Sequence, residues 1–238
     1  MVGQTLVGMD DPVVDARDMV AELLPQARWA LLTGSVITAA RTAGSDLDIV
    51  VLLPDGDRKA PHRDSRRFRG WPVELFVHDE HTLAHYLAKE LAAGKPHLHR
   101  MVGTGVVLLG VPDPWPKRCA TVLAAGPPPL TEPERRRIRY GLTDLLDDLA
   151  HASDAGERTV IAACAWRSAG EATLRLNGRW TGGGKWILRE LRDFDPETAA
   201  RWLASMGEPS KIAEFVTDLL TGHGGPLFEG YRVEGERP

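Results

Sequence analysis

The chain has 238 residues and a formal net charge of −4, with 43% hydrophobic and 26% charged residues. This composition is ordinary for a globular protein of one large domain or two small ones. Proteins that grip a nucleic-acid backbone usually carry a clear basic excess, so we expect no nucleic-acid partner. No stretch reaches the roughly 20 apolar residues that cross a bilayer, so we expect no membrane partner either.

The N-terminal residues lack the basic start and the long apolar core of a secretory signal. The two cysteines, Cys119 and Cys164, lie far apart in the sequence and lack metal-ligand spacing. We interpret both as buried thiols in a reducing compartment. A cytoplasmic location is therefore expected.

The first element in chain order is a helix that starts at Asp11-Pro12, because proline is favoured at an early helical position. It is predicted to end at Pro25. A strand over residues 27–32 leads into Gly34-Ser35, where glycine permits a sharp turn and a close approach to a phosphate. A short helix over residues 36–40 is expected next, and the N–H groups at its start would favour an anion.

Asp46 and Asp48 open a second strand, which continues through apolar residues to Leu53. Aspartate is poorly suited to a strand, and burying it costs free energy unless it has a partner. In an extended chain the two side chains point to the same face, roughly 7 Å apart. Magnesium takes a few carboxylate oxygens from proteins and leaves its other positions to water and substrate phosphates. The pair therefore predicts a Mg²⁺ site.

This segment resembles the signature of the DNA polymerase beta-like nucleotidyltransferase superfamily: Gly34-Ser35, ten intervening residues, then Asp46-Leu47-Asp48 on a strand. The resemblance implies that the Gly-Ser turn holds the triphosphate of a nucleotide and that the two aspartates bind Mg²⁺. It also implies a third carboxylate from a neighbouring strand, for which Glu74 is the candidate. Glu74 would be a third metal ligand or a general base, which makes Asp46, Asp48 and Glu74 the expected catalytic and metal-binding residues.

Residues 54–70 are polar and rich in arginine. Two interpretations are open: a mobile connection, or a positively charged flap beside a triphosphate. A strand over residues 71–77 carries Glu74, a helix follows, and residues 95–101 resemble a strand or turn. Histidines 78, 81, 85, 97 and 99 raise the alternative of a zinc site, but no pair has the cysteine or carboxylate neighbours typical of one. The best-spaced pair is His81 and His85.

An apolar strand over residues 105–110 and a helix over residues 115–125 complete the first half. The three prolines after Gly126 then predict a stiff connector. We place the domain boundary there, with a nucleotidyltransferase domain over residues 1–128 and a helical domain over residues 129–238. The predicted fold class is α/β (α+β), with a small mixed β-sheet domain followed by an all-helical C-terminal bundle.

The second half shows helical periodicity from a capping box at Thr131 onwards, and residues 222–238 are expected to be a weakly ordered tail. Residues 177–185, NGRWTGGGK, lack the spacing of a phosphate-binding P-loop. They resemble a loop of the aminoglycoside nucleotidyltransferases, in which a lysine contacts the nucleotide phosphates. That resemblance adds Lys185 to Gly34 and Ser35 as a nucleotide-binding residue. The alternative is a flexible turn before a helix.

The resemblance implies a Mg²⁺-dependent enzyme that transfers a nucleoside monophosphate from a nucleoside triphosphate to a hydroxyl group. The expected donor is ATP, and the expected acceptor is a small molecule such as an aminoglycoside-like antibiotic. Two alternatives remain open: a protein-adenylylating enzyme of the antitoxin type, and an inactive homologue that senses nucleotide.

Overall fold

The structure is a computed structural model that describes residues 11–235. It is an α+β protein that divides between Ala125 and Gly126 into two compact units. The first unit contains the helices Pro12–Leu23 (α1), Glu80–Ala93 (α2), His97–Thr104 (α3) and Trp115–Ala125 (α4). Its strands are Trp29–Thr33 (β1), Leu47–Leu52 (β2), His62–Phe68 (β3), Trp71–His78 (β4) and Val106–Gly110 (β5).

The five strands form one mixed sheet in the order β3-β4-β2-β1-β5. Strands β2 and β4 are parallel, and every other neighbouring pair is antiparallel. One face packs against α1 through Ala16, Met19 and Val20. The other packs against α2, α3 and α4. Because both faces are covered, β2 is a nearly continuous apolar run in which Asp48 alone is not fully buried.

Strand β3 corrects the expectation of an irregular loop over residues 54–70. It pairs with β4 along its whole length, from His62 opposite Val77 to Phe68 opposite Trp71. Arg69 and Gly70 form the two-residue turn, both with positive φ, as a tight hairpin requires. The sequence does not predict this strand because its charged side chains lie on both faces and leave no apolar alternation. Charged side chains are common on edge strands such as β3.

Helix α3 corrects a second expectation, that of a strand or turn over residues 95–101. Leu98, Met101 and Val102 are buried at helical spacing. Pro96 at the N-cap provides no side-chain hydrogen bond. Instead, Glu90 of α2 accepts from the backbone N–H of Leu98 at 2.7 Å, so the cap comes from another helix and leaves no local sequence signal.

All the regular secondary structure in the described part of the second unit is helical, as predicted. Its helices are Glu132–His151 (α5), Ala155–Leu176 (α6), Lys185–Phe194 (α7), Pro196–Ala204 (α8) and Pro209–Gly222 (α9). The predicted capping box is present, with Thr131 and Glu134 bonded to each other's backbone N–H. At the core, the stacked rings of Trp166 and Trp202 each donate an indole N–H to the other residue's carbonyl. These reciprocal bonds fasten α6 to α8.

Two smaller expectations in this half were wrong. Residues after Gly222 have no regular secondary structure, but the described part packs on α5: Tyr231 stacks on Tyr140 at 4.1 Å, and Arg139 donates to the carbonyl of Gly225. Cys164 is exposed, whereas Cys119 is buried as expected. Within residues 11–235, no helix combines the length and apolarity needed to cross a membrane. The N-terminal signal assignment lies outside the described residues.

Candidate active site

The site is built where three strands lie side by side at one end of the sheet. Thr33, the last residue of β1, pairs with Asp48, and Asp48 pairs in turn with Glu74 on β4. Neighbouring strands lie about 4.8 Å apart, so paired residues of adjacent strands bring their side chains together. The parallel pairing of β2 with β4 thus places the carboxylates of Asp48 and Glu74 side by side.

Asp46, Asp48 and Glu74 form a compact acidic cluster. One carboxylate oxygen from each lies within 4.8 Å of the others, and all three residues are half-buried. The side chains of Asp48 and Glu74 project from the sheet face that carries Val50 and Phe76, because side chains alternate along a strand. A search of the described residues for three or more histidine, cysteine or acidic side chains close enough to hold a metal ion finds this cluster.

Gly34 brings its backbone directly against this cluster. A Cβ atom at residue 34 would lie 2.3 Å from Oδ2 of Asp48, well inside van der Waals contact. Gly34 also has φ +84° and ψ −165°, a combination adopted almost only by glycine. Glycine is therefore required here both for the turn and for the close approach of backbone to carboxylate.

Ser35 begins a three-residue 3-10 turn over Ser35–Ile37. The expected helix over residues 36–40 is therefore absent from the structure. A single 3-10 turn has too few aligned peptide units for a helix dipole to favour an anion here. The Ser35 hydroxyl lies 2.9 Å from the hydroxyl of buried Ser45, which also accepts from the N–H of Thr42. Ser45 immediately precedes Asp46, so this contact joins the Gly-Ser turn to the start of the acidic strand.

Arg63 is a site residue that sequence reasoning does not single out. Its guanidinium donates to the Glu74 carboxylate and lies 4.5 Å over the ring of Phe76. The arginine side chain is 58% exposed and Glu74 is 33% exposed. Its role is hidden in the sequence because β3 has no recognisable strand pattern. The signal that could have found it is the spacing from the Arg69-Gly70 turn, which places Arg63 opposite Phe76.

The structure does not bring the histidines together as a metal site. His81 and His85 are exposed on α2, while His78 is buried at the end of β4. His99 is buried on α3, with its Nδ1 atom 3.5 Å from the Glu90 carboxylate.

Lys185 is the first residue of α7 in the second unit and is exposed. Its contact with a nucleotide remains a prediction.

Comparisons with protein-family models and with curated proteins gave no match. Among solved structures, the chain is similar to a nucleotidyltransferase-like protein from Exiguobacterium sibiricum 255-15. The two chains share 12% sequence identity, with a TM-score of 0.47 over 88% of this chain and 74% of the other. At this distance the likeness identifies neither a substrate nor a cofactor.

Proposed function

We propose that the protein is a nucleotidyltransferase that moves a nucleoside monophosphate from a nucleoside triphosphate onto a hydroxyl group of a small molecule. The observation that carries the proposal is the acidic cluster of Asp46, Asp48 and Glu74, with one oxygen from each within 4.8 Å of the others. It is joined by Gly34, whose backbone lies against Asp48. The expected donor is ATP.

The cluster fits a divalent cation on the chemistry of its donor atoms. Three carboxylates provide hard oxygens, and their half-buried side chains leave room for water and phosphate oxygens to complete the coordination of Mg²⁺. Like charges this close repel one another, and a bound cation relieves that repulsion. Asp46, Asp48 and Glu74 would therefore hold Mg²⁺, which supplies positive charge to stabilise the leaving pyrophosphate.

In the proposed reaction the acceptor oxygen forms a bond to the α-phosphorus of the nucleotide. The bond from that phosphorus to the oxygen bridging to the β-phosphate breaks, and pyrophosphate leaves with the bonding electron pair. The acceptor's hydroxyl proton passes to a base. Glu74 is the candidate for that base if it is not a metal ligand. Catalysis of this type depends mainly on positioning and electrostatic stabilisation.

Other residues would position the triphosphate. The Gly34 turn presents backbone close to the carboxylates without a side chain in the way. The Ser35 hydroxyl is held at that turn by Ser45 and can donate to a phosphate oxygen. Lys185 is proposed as a further phosphate contact. The proposed acceptor is a small molecule such as an aminoglycoside-like antibiotic.

Melting curves with and without Mg-ATP test the proposal. Binding to the folded state raises the melting temperature by linkage. Asp48→Asn keeps the shape of the side chain and removes one of the three carboxylates that would hold Mg²⁺. Its response to Mg-ATP should shrink. Asp193→Asn, an equal charge change at an exposed position of α7, should respond like the parent.

Transfer itself is measured with labelled ATP and a panel of small-molecule and protein acceptors. Asp48→Asn should reduce transfer at least 100-fold, a barrier increase of about 2.7 kcal/mol. Labelled protein in place of labelled small molecule would favour the antitoxin-type alternative, and binding without transfer would favour the nucleotide sensor. An Asp48→Asn variant with the same Mg-ATP response as the parent would refute the proposed site.

Lys185→Ala tests the proposed phosphate contact separately. The side chain is exposed, so its truncation should leave the fold intact. If the ammonium contacts the triphosphate, the dissociation constant for Mg-ATP should rise while adenosine binding is unaffected. Lys211→Ala, on α9 of the same unit, is the control for loss of one exposed positive charge. Equal Mg-ATP affinities for the parent and both variants would make Lys185 an ordinary surface residue.

A further inference from the structure

A cavity of about 340 Å³ lies in the first unit, beside the β3–β4 hairpin and helices α2 and α3. Phe76, His78 and Leu98 line its inner part, where His78 and Leu98 are buried. Tyr86 and His97 line it as exposed side chains. Small-molecule pockets usually measure about 300 to 1,000 Å³, so the space suits a small ligand or one ring system of a larger ligand.

The cavity adjoins the acidic cluster. Phe76 follows Glu74 by two positions on β4 and shares its face of the sheet, which puts the two residues roughly 7 Å apart along the strand. Arg63 connects the two places, because it lines the cavity, lies over the Phe76 ring and donates to Glu74. A ligand held in the cavity would therefore end close to the carboxylates.

The lining is aromatic. The rings of His78 and Tyr86 lie 5.4 Å apart and tilted, and those of Phe76 and His97 lie 6.1 Å apart in an edge arrangement. Aromatic side chains of this kind stack against the flat face of a nucleobase, and they do so with little regard to which base it is. The shape and chemistry of the wall thus favour a planar ring.

One polar atom in the lining is unsatisfied. His78 is 7% exposed, and its Nδ1 atom is buried without a hydrogen-bond partner among the described residues. An unmade hydrogen bond at a buried atom costs free energy that a ligand can recover. Burial lowers the pKa of His78, so its imidazole is neutral at pH 7 and can accept or donate at Nδ1 according to its tautomer.

The two charged side chains Glu90 and Arg63 are engaged with protein groups. Glu90 caps α3 through the backbone N–H of Leu98, and Arg63 pairs with Glu74. Because protein groups already satisfy both charges, the cavity offers no unpaired charge to a charged ligand. This favours an uncharged ring with hydrogen-bonding atoms on its edge. Nucleobases combine a flat aromatic face, neutral charge and such an edge.

We propose that this cavity binds a nucleobase, with the ring stacked on Tyr86 and His97 and its edge bonded to His78. The base would belong either to the donor nucleotide or to a nucleoside-type acceptor. The inference goes beyond the proposed function, since base binding does not require transfer to occur.

Protein labelled with ¹⁵N-histidine is titrated with adenosine, guanosine, cytidine and uridine, none of which carries phosphate. At least one nucleoside should shift the ring signals of His78. His78→Phe keeps an aromatic ring of similar size and removes the nitrogen, so it should weaken binding at least tenfold as measured by calorimetry. His81→Ala, an exposed change on α2 away from the cavity, should bind like the parent.

Tyr86→Ala, an exposed position, serves as a second variant that does not disturb the buried part of the cavity, and it should also weaken binding. The inference is overturned if none of the four nucleosides shifts the His78 signals, or if the dissociation constant is unchanged in both His78→Phe and Tyr86→Ala.

Mg²⁺ with tripolyphosphate reports separately on the acidic cluster. Binding of tripolyphosphate should depend on Asp48 and not on His78. Failure of the proposed function can therefore be told apart from failure of the base-binding inference.

Competition identifies the source of the base. If Mg-ATP shifts the His78 signals and excludes the nucleoside, the base is that of the donor. If Mg-ATP and the nucleoside bind together, the cavity takes an acceptor. Both outcomes support a base-binding cavity and assign it different positions in the reaction.

Discussion

The backbone of Gly34 lies so close to the carboxylate of Asp48 that a methyl group at residue 34 would be 2.3 Å from Oδ2. The end of β1 and the start of β2 are thus packed together at the acidic cluster with no room for a side chain. This contact couples the turn sequence to the position of a proposed metal ligand.

Gly34→Ala should therefore damage both stability and metal binding. The positive φ costs an alanine about 1–3 kcal/mol, and relief of the clash requires Asp48 to move. Gly70→Ala is the matched control, because Gly70 also has positive φ, at +86°, but nothing lies within 4 Å of the place its methyl group would take. Urea denaturation should show the larger loss for Gly34→Ala, and only that variant should lose its response to Mg-ATP.

A double-mutant cycle isolates the contact. When Asp48 is alanine, the carboxylate oxygen nearest the new methyl group is gone, so Gly34→Ala should cost less than it does in the parent. Strict additivity of the two free-energy changes would show that residue 34 and Asp48 do not interact.

Arg63→Ala should strengthen binding of Mg²⁺ alone. Arg63 and the cation compete for Glu74, and removing the arginine leaves that carboxylate available. Because Arg63 is 58% exposed, its ion pair contributes about 1 kcal/mol at most, which limits the gain to roughly fivefold in the dissociation constant. Calorimetric titration with MgCl₂ measures it.

Arg66→Ala controls for the lost positive charge. Arg66 lies on the same strand as Arg63, and its partner is Asp64, which is outside the cluster. It should change the magnesium affinity less than Arg63→Ala does. Weaker Mg²⁺ binding in Arg63→Ala would instead mean that the arginine holds Glu74 in the position that the metal needs.

The acidic cluster is predictable from the sequence because its residues break strong patterns. Asp46 and Asp48 stand at the start of an apolar strand, and Glu74 lies between the apolar residues of another, so each stands out without a structure. The sequence gives no comparable signal for Ser45, for Arg63 or for the capping role of Glu90. Their partners lie 8 to 11 residues away in the sequence, across a turn or between helices, and such contacts leave no local periodicity.

The cavity beside the cluster is hidden for the same reason. It requires β3 to pair with β4 and residues 97–104 to be helical. Strand β3 has no apolar alternation, and the helical spacing of Leu98, Met101 and Val102 covers only one turn. The histidine-rich character of the region is visible, but the sequence does not reveal that His78 is buried and that His81 is exposed.

The two thiols should react at very different rates with a thiol reagent such as iodoacetamide. Burial raises the pKa of Cys119 to about 11, which leaves almost no thiolate at pH 8, and the side chain is inaccessible. Cys164 is exposed on α6. Mass spectrometry of the native protein should find the label on Cys164 first, and labelling of Cys119 should require denaturant. Equal labelling under native conditions would contradict the packing of α4 on the sheet.

His78 should make folding stability depend on pH below neutrality. Burial lowers its pKa from the ordinary value of 6.5, an effect that the nearby charges of Asp79 and Glu90 partly oppose and that His62 reinforces. Above that value the histidine is neutral in both states and has no effect on the pH dependence. As the pH falls below it, the unfolded chain takes up a proton that the folded protein does not, so the free energy of unfolding decreases until the folded pKa is reached.

His78→Phe removes this titration, so the difference in unfolding free energy between pH 7 and pH 5 should be smaller than in the parent. His81→Gln, at an exposed position on the adjacent helix, should keep the parent's difference, which separates burial from the mere loss of a histidine. Urea titrations of the three proteins at both pH values provide the free energies. If His78→Phe and the parent lose the same stability on acidification, His78 is protonated as readily in the folded protein as in the unfolded chain, and its imidazole is not held neutral by burial.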